Sequence, residues 1–238
     1  MKTAWPSNLK RPFYHIYKIK REYYLLSIII FAFLIRVFSL SSIPNGFFAD
    51  EASYGYDAYS VLMSGNDRYG TKFPLLFKSF GDYVSPLHVY SLTPYILIFG
   101  LNEFAVRISS IVFGLLIIVT IYLLTKNIFN ENVAFLTAIF LSISPWHFHY
   151  SRVGFPQMTF LFFFIVATYF LITRNKNYNL YLSSIFFGLT LFSYSTSKLF
   201  IPLFLLGFFI LNYREINKDK KKWIIFFSIL FLFYTIIL

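Results

Sequence analysis

"PLHVYSLTPYILIFG", residues 86–100, is apolar enough to pass for a membrane crossing, yet it is short and carries Pro94. A helix needs about 20 residues to cross the hydrocarbon layer. If this segment crossed, every later loop would change sides, and the lysine-rich "REINKDKKK" at 214–222 would lie opposite the basic N-terminus. Basic residues collect on the cytoplasmic side of membrane proteins. The stretch is therefore expected to be an interfacial or re-entrant helix on the outer face, and the rest of the topology follows from it.

Around this segment the chain is 58% hydrophobic, 23% aromatic and only 13% charged, over 238 residues. Its apolar residues come in long blocks, without strand alternation or a one-sided helical stripe. The blocks lie at about 23–40, 104–125, 133–145, 155–173, 180–194, 199–213 and 223–238. The expected fold is all-α: a polytopic membrane protein of about seven transmembrane helices, with a long first outer loop, 41–102, that contains interfacial helices. Residues 1–22 read as a basic cytoplasmic tail and 23–238 as one transmembrane domain. Its last block runs to Leu238 without a polar flank, which reads as the N-terminal part of a longer protein.

The net charge of +11 would suggest nucleic acid as the partner of a soluble chain. Here the charges follow topology instead: with the N-terminus in the cytoplasm, fourteen basic residues fall inside and five outside (Arg68, Lys72, Lys78, Arg152 and Lys198). That excludes nucleic acid and points to the plasma membrane. Cysteine is absent, which removes disulfides and thiolate metal sites. The N-terminus lacks the short apolar region and small-residue cleavage site of a signal peptide, so a retained first span fits better.

The first outer loop opens with "GFFADEASYGYDAYSVLMSGNDRYG" at 46–70, where Asp50 and Glu51 stand side by side in a greasy chain. The segment from Glu51 to Met63 can form a short amphipathic helix, on which Asp50, Tyr54 and Asp57 share a face. Two readings fit the pair. Asp50 can be an N-cap with Glu51 as first-turn charge. Alternatively, Asp50 is a partly desolvated carboxylate that takes a proton from a hydroxyl nucleophile, with the outer basic residues holding a phosphate. Arg36, near the outer end of the first span, can snorkel outward or pair with an outer-loop carboxylate. In "SPWHFHYSRVGFPQ" at 144–157, Trp146 and Tyr150 suit an interfacial belt, and His147 and His149 alone do not make a metal site.

These landmarks in order resemble glycosyltransferase family 39 and its relatives, the protein O-mannosyltransferases and lipid A aminoarabinose transferases. They are "RVFSLSSIPNGFFADEASYGYDAYSVLMSG" (36–65), "SPLHVYSLTPYILIFGLNEFAVRISSIVFGLL" (85–116) and "SPWHFHYSRVGFPQ". The resemblance implies a C-type glycosyltransferase fold and a membrane enzyme. Such an enzyme takes a sugar from a polyprenyl-phosphate carrier on the outer face and passes it to a protein, lipid or glycan acceptor. It makes Asp50 the base and Glu51 its catalytic partner, and gives Arg36, Glu103 and Arg107 structural or electrostatic roles. Where many relatives have Lys-Pro-Pro-Leu, this chain has Val84-Ser85-Pro86-Leu87, which leaves Lys72 or Lys78 to meet the carrier phosphate. The expected binding set is thus Arg152, Lys72, Lys78, Arg36 and His88. No cofactor is implied and any divalent-metal requirement stays open. A carrier or flippase for a lipid-linked substrate, or a non-catalytic fragment, are the alternatives.

Overall fold

The computed structural model describes residues 10–174 and 177–237. Among them the chain is all-α apart from one small hairpin. The order is α1 (Lys10–Val37), α2 (Ala49–Ser64), β1 (Phe77–Ser79), β2 (Asp82–Val84), α3 (Pro86–Phe99), α4 (Glu103–Ile128), α5 (Glu131–Ile143), α6 (Pro145–Tyr150), α7 (Gln157–Ile172), α8 (Asn177–Leu191), α9 (Ser197–Ile216) and α10 (Lys220–Ile237). The first nine residues of the expected tail lie outside the described residues, and helix α1 already begins at Lys10.

Helix ends fall where the local chemistry puts them. Asn102 and Asn130 take extended backbone before α4 and α5, and each side-chain oxygen accepts a bond from an N–H of the first turn, Ala105 and Val133 respectively. Helix α2 stops at Gly65, which adopts the left-handed conformation that glycine tolerates best. Pro86 opens α3, where a missing N–H costs nothing. The β1–β2 hairpin was not foreseen: its strands are three residues each and pair antiparallel, with Phe77 opposite Val84 and Ser79 opposite Asp82.

The helices pack around several apolar clusters. The largest joins α7, α8, α9 and α10 through Leu171, Phe187, Ile201, Phe226 and Leu230. Helix α8 is stitched on both sides, since Ser183 Oγ donates to the Ala167 carbonyl of α7 and Ser184 Oγ to the Phe226 carbonyl of α10. A second cluster, with Tyr54, Ala58, Phe77, Leu92 and Val106, seats α2, the hairpin and α3 on α4. Among the described residues two helices are long and apolar enough to cross a membrane, Glu103–Ile128 and Ser197–Arg214; Pro86–Phe99, Glu131–Ile143 and Gln157–Ile172 are shorter apolar helices. At a rise of 1.5 Å per residue, α5 reaches only about 20 Å against a hydrocarbon thickness of about 30 Å. Length and apolar composition together therefore support two of the seven expected spans.

One end of the bundle gathers the carboxyl ends of α1 and α8 and the amino ends of α2, α3, α4, α7 and α9. The Leu87 N–H at the start of α3 donates to the Phe192 carbonyl after α8 at 2.8 Å, and the Tyr234 hydroxyl of α10 donates to the Lys198 carbonyl. The opposite end holds the α4–α5 turn, where Lys126 and the Tyr122 hydroxyl both bond Glu131.

Candidate active site

Asp50 and Glu51 are consecutive on α2, so their side chains leave the helix about 100° apart. They meet opposite environments. Glu51 is fully buried and its oxygens are saturated. Oε1 accepts from Arg107 Nε at 3.1 Å and from the Gly154 N–H at 2.7 Å; Oε2 accepts from Arg107 Nη2 at 3.1 Å and from the Phe48 N–H at 3.2 Å. The last bond is half of a capping box, formed from the third helical position. Asp50 is exposed, and among the described residues it has neither a hydrogen-bond nor an ion-pair partner. It is not the N-cap: Phe48 occupies that position, with extended backbone.

Arg107 does more than neutralise Glu51. Its remaining N–H groups donate to the carbonyls of Leu40, Pro44 and Gly46, which fastens the segment leading into α2 against α4. The helix start that bears Asp50 is thus held from below by a buried guanidinium and from the side by Gly154. Behind Asp50 on the same face, Tyr54 is buried with its ring edge-on to His88. Burial, with Asp50 and Tyr194 adding negative charge nearby, pushes the Tyr54 pKa up to about 12, so it stays a neutral hydroxyl at physiological pH. Asp57, the third residue of that face, is also buried. It takes Arg68 in a two-pronged pair, Nε to Oδ1 at 2.8 Å and Nη2 to Oδ2 at 2.5 Å, while Arg68 Nη2 also reaches the oxygens of Ser53.

The expected binding residues divide sharply. Arg36 neither snorkels nor meets a carboxylate: it is fully buried, with Nε on Ser151 Oγ at 2.9 Å, Nη1 on the Ala32 carbonyl and Nη2 against His147 Nδ1 at 3.0 Å. Arg152 spends its guanidinium on the carbonyls of Ile35, Phe38 and Ile43, capping the carboxyl end of α1. Both cations lie against the face of Phe148. Burial and the nearby Arg107 charge lower the pKa of Arg152. His88 is fully buried, Nδ1 bonding Thr159 Oγ1 and Nε2 bonding the Gly154 carbonyl, each at 3.0 Å. Desolvation lowers its pKa to about 4, so it is a neutral ring that donates to Gly154. His147 is likewise lowered to about 4, by burial and then by Arg36. These side chains brace the site; the buried Nε of Arg152 and Nε2 of His147 have no partner among the described residues.

Lys72 and Lys78 are exposed on the loop and hairpin that follow α2. Lys198 stands one helical turn beyond Tyr194, at the start of α9, and its ammonium has no partner among the described residues. The free cations at this end are therefore lysines. No group of His, Asp and Glu suited to hold a metal ion occurs among the described residues. The partners of Arg36, Arg152 and His88 escaped sequence reading because most are backbone groups or small hydroxyls far along the chain.

Similarity to known proteins agrees with this architecture. The fold resembles the crystal structures of ArnT from Cupriavidus metallidurans, one bound to undecaprenyl phosphate and one in the apo state. In each case the TM-score is 0.68 and the identity 13%, over 89% of this chain and 41% of that one. An 81-residue stretch is 30% identical to Dolichyl-phosphooligosaccharide-protein glycotransferase 2 of Pyrococcus furiosus, covering 34% of this chain and 10% of that protein. The chain thus spans well under half the length of these relatives. Residues 83–238 match the family described as Dolichyl-phosphate-mannose-protein mannosyltransferase. That range begins beyond Asp50 and Glu51, whose case rests on geometry. Since it covers well over half of the chain, the protein belongs to the dolichyl-phosphate-mannose-protein mannosyltransferase family.

Proposed function

We propose that this chain carries the catalytic end of a membrane glycosyltransferase that moves a sugar from a polyprenyl-phosphate carrier to an acceptor hydroxyl. The observation that carries the reading is the contrast at the start of α2: a buried, fully bonded Glu51 beside an exposed, unpartnered Asp50. Asp50 accepts the proton of the acceptor hydroxyl as its oxygen attacks the anomeric carbon. The bond from that carbon to the carrier phosphate oxygen breaks, and its electron pair leaves with the phosphate. The phosphate is a good leaving group that needs cations more than a proton, and Lys198, whose ammonium has no partner among the described residues, is the cation we assign to it. Attack opposite the leaving group inverts the anomeric centre. Glu51 and Arg107 act as positioning residues.

In the topology we propose, α1, α4, α5, α7, α8, α9 and α10 cross the membrane within one domain, 23–238, with the basic N-terminal tail in the cytoplasm and the Asp50 end outside. The excess of lysine and arginine in the loops assigned to the inside supports it. The acceptor class is protein, lipid or cell-surface glycan.

The test is release of carrier phosphate from a panel of polyprenyl-phosphate sugars by the full-length protein in detergent. Asp50→Asn is expected to cut release roughly 10²–10⁴-fold, the usual worth of a positioned base, with no change in melting temperature. Undiminished release from Asp50→Asn would overturn the assignment. Movement of a lipid-linked sugar across vesicles without transfer would favour the carrier reading.

A further inference from the structure

The hairpin tip departs from the rules that shape the rest of the fold. Ser79 pairs with Asp82, so Phe80 and Gly81 form a two-residue turn, with φ of +49° and +86°. Such turns are dominated by Asn-Gly and Asp-Gly, because both central residues sit in the left-handed region, where a bulky side chain is disfavoured. Here the first is a phenylalanine, and it is 70% exposed. Neither backbone preference nor packing within the chain accounts for it.

Its surroundings are of one kind. The strands bury Phe77 and Ser79 on one face and turn Lys78 and Tyr83, which are cross-strand partners, to the other. The loop before β1 is built tightly: Asp67 Oδ1 accepts from the Tyr69 and Thr71 N–H groups, and Phe73 N–H donates to the Gly65 carbonyl. That rigidity holds Tyr69 outward, 58% exposed, with the ammonium of Lys78 5.6 Å from its ring centre. Tyr83 is 59% exposed, and Lys72 has no acidic partner among the described residues. The acids nearby are mostly spent, Asp57 on Arg68 and Asp67 on its own turn, leaving Asp82 as the exposed carboxylate. The chain then runs from β2 directly into α3, whose far end exposes Leu97, Ile98 and Phe99.

We infer that Phe80, Tyr69, Tyr83, Lys72 and Lys78 form a plate that rests on the bilayer surface, the rings entering the headgroup layer and the two ammonium groups meeting anionic lipid phosphates. Amphipathic rings and snorkelling lysines are the side chains that favour this layer. The plate grips the lipid surface beside α3 and so fixes the height of α2, with Asp50, above the membrane. This inference rests on the membrane-spanning reading proposed above.

None of the 238 residues is a cysteine, so single labels can be placed cleanly in this stretch. Spin labels are placed in separate variants at Phe80→Cys, at Asn45→Cys in the loop before α2, and at Leu116→Cys in α4. The protein is reconstituted in phosphatidylcholine vesicles with and without phosphatidylglycerol, and collisions with oxygen are compared with those of a water-soluble nickel chelate. The expected result is an oxygen-to-nickel ratio at residue 80 severalfold above that at 45. Lys72→Gln with Lys78→Gln should lower it only in the anionic vesicles. Equal ratios at 80 and 45, with 116 oxygen-rich, would overturn the plate and leave the spanning intact; nickel access at 116 would overturn the spanning itself. A high ratio at 80 indifferent to both lysines would overturn the phosphate contact. Shielding of 80 only by added glycan or peptide would make the plate an acceptor surface instead. Tyr83→Cys repeats the measurement should the turn variant fail to fold.

Discussion

Arg107 and Glu51 meet as a fork on a carboxylate, Nε to Oε1 and Nη2 to Oε2, each at 3.1 Å, with both side chains fully buried. Removing one partner strands the other's charge in a dry interior, which costs about 3–5 kcal/mol. Glu51→Gln and Arg107→Met are each expected to lower the melting temperature in detergent strongly. The double variant should lose less than the sum of the two, since neither charge is then left alone. Thermal unfolding of the three variants checks this.

Gly154 sets a geometric limit on the same pair. A Cβ there would lie 2.6 Å from Val106 Cγ1 and 3.3 Å from Glu51 Oε1, and Val106 is buried with no room to yield. Gly154→Ala must displace the 153–155 segment and stretch its bond to Glu51. Sugar release is expected to fall about 10²-fold, as for a misplacement near 1 Å. Gly207→Ala, where nothing lies within 4 Å, should leave it unchanged.

Arg152→Lys keeps the charge and loses the geometry. One ammonium cannot replace a guanidinium that reaches the part-buried carbonyls of Ile35, Phe38 and Ile43, and each lost bond costs about 1 kcal/mol. The variant should unfold at lower temperature, and amide exchange near residues 38–44 should quicken. Exchange unchanged from wild type would show that the cap is idle.

The pH response follows from His88. Its folded pKa, about 4, lies below the ordinary 6.5, so the unfolded chain takes up a proton first as pH falls. The stability that a neutral ring provides is present above about pH 6.5 and is lost progressively toward pH 4, in an amount of about 3 kcal/mol. His147 adds to the same window. Stability measured from pH 8 down to 4 should be flat and then decline, and His88→Gln should remove part of that decline.

Much of this was legible in the sequence, and the parts that were not have a common cause. Residues 86–99 form a helix, as expected of their apolar run, and α2 covers the acidic segment within two residues of expectation at its start. Asp50 and Glu51 stand out because carboxylates are costly beside so much apolar chain. The hairpin stayed hidden because a Phe-Gly turn between three-residue strands lacks the usual Asn-Gly signal. The partners of Arg36, Arg152 and His88 were not legible, because they are mostly hydroxyls and backbone carbonyls far along the chain, which a sequence displays without placing.

The bonds that complete the start of α2 span great lengths of chain: Gly154 reaches Glu51 across 103 residues, and Arg152 reaches the end of α1 across 109–117. During synthesis the segment bearing Asp50 emerges long before the residues that brace it. Arg107 of α4 meets its carbonyls and Glu51 first, and the Gly154 N–H completes the set only when the turn after α6 arrives. Completion of the site is thereby tied to the birth of its fifth and sixth helices, and a chain halted before Arg152 has made Asp50 but not yet the whole of the place where it stands.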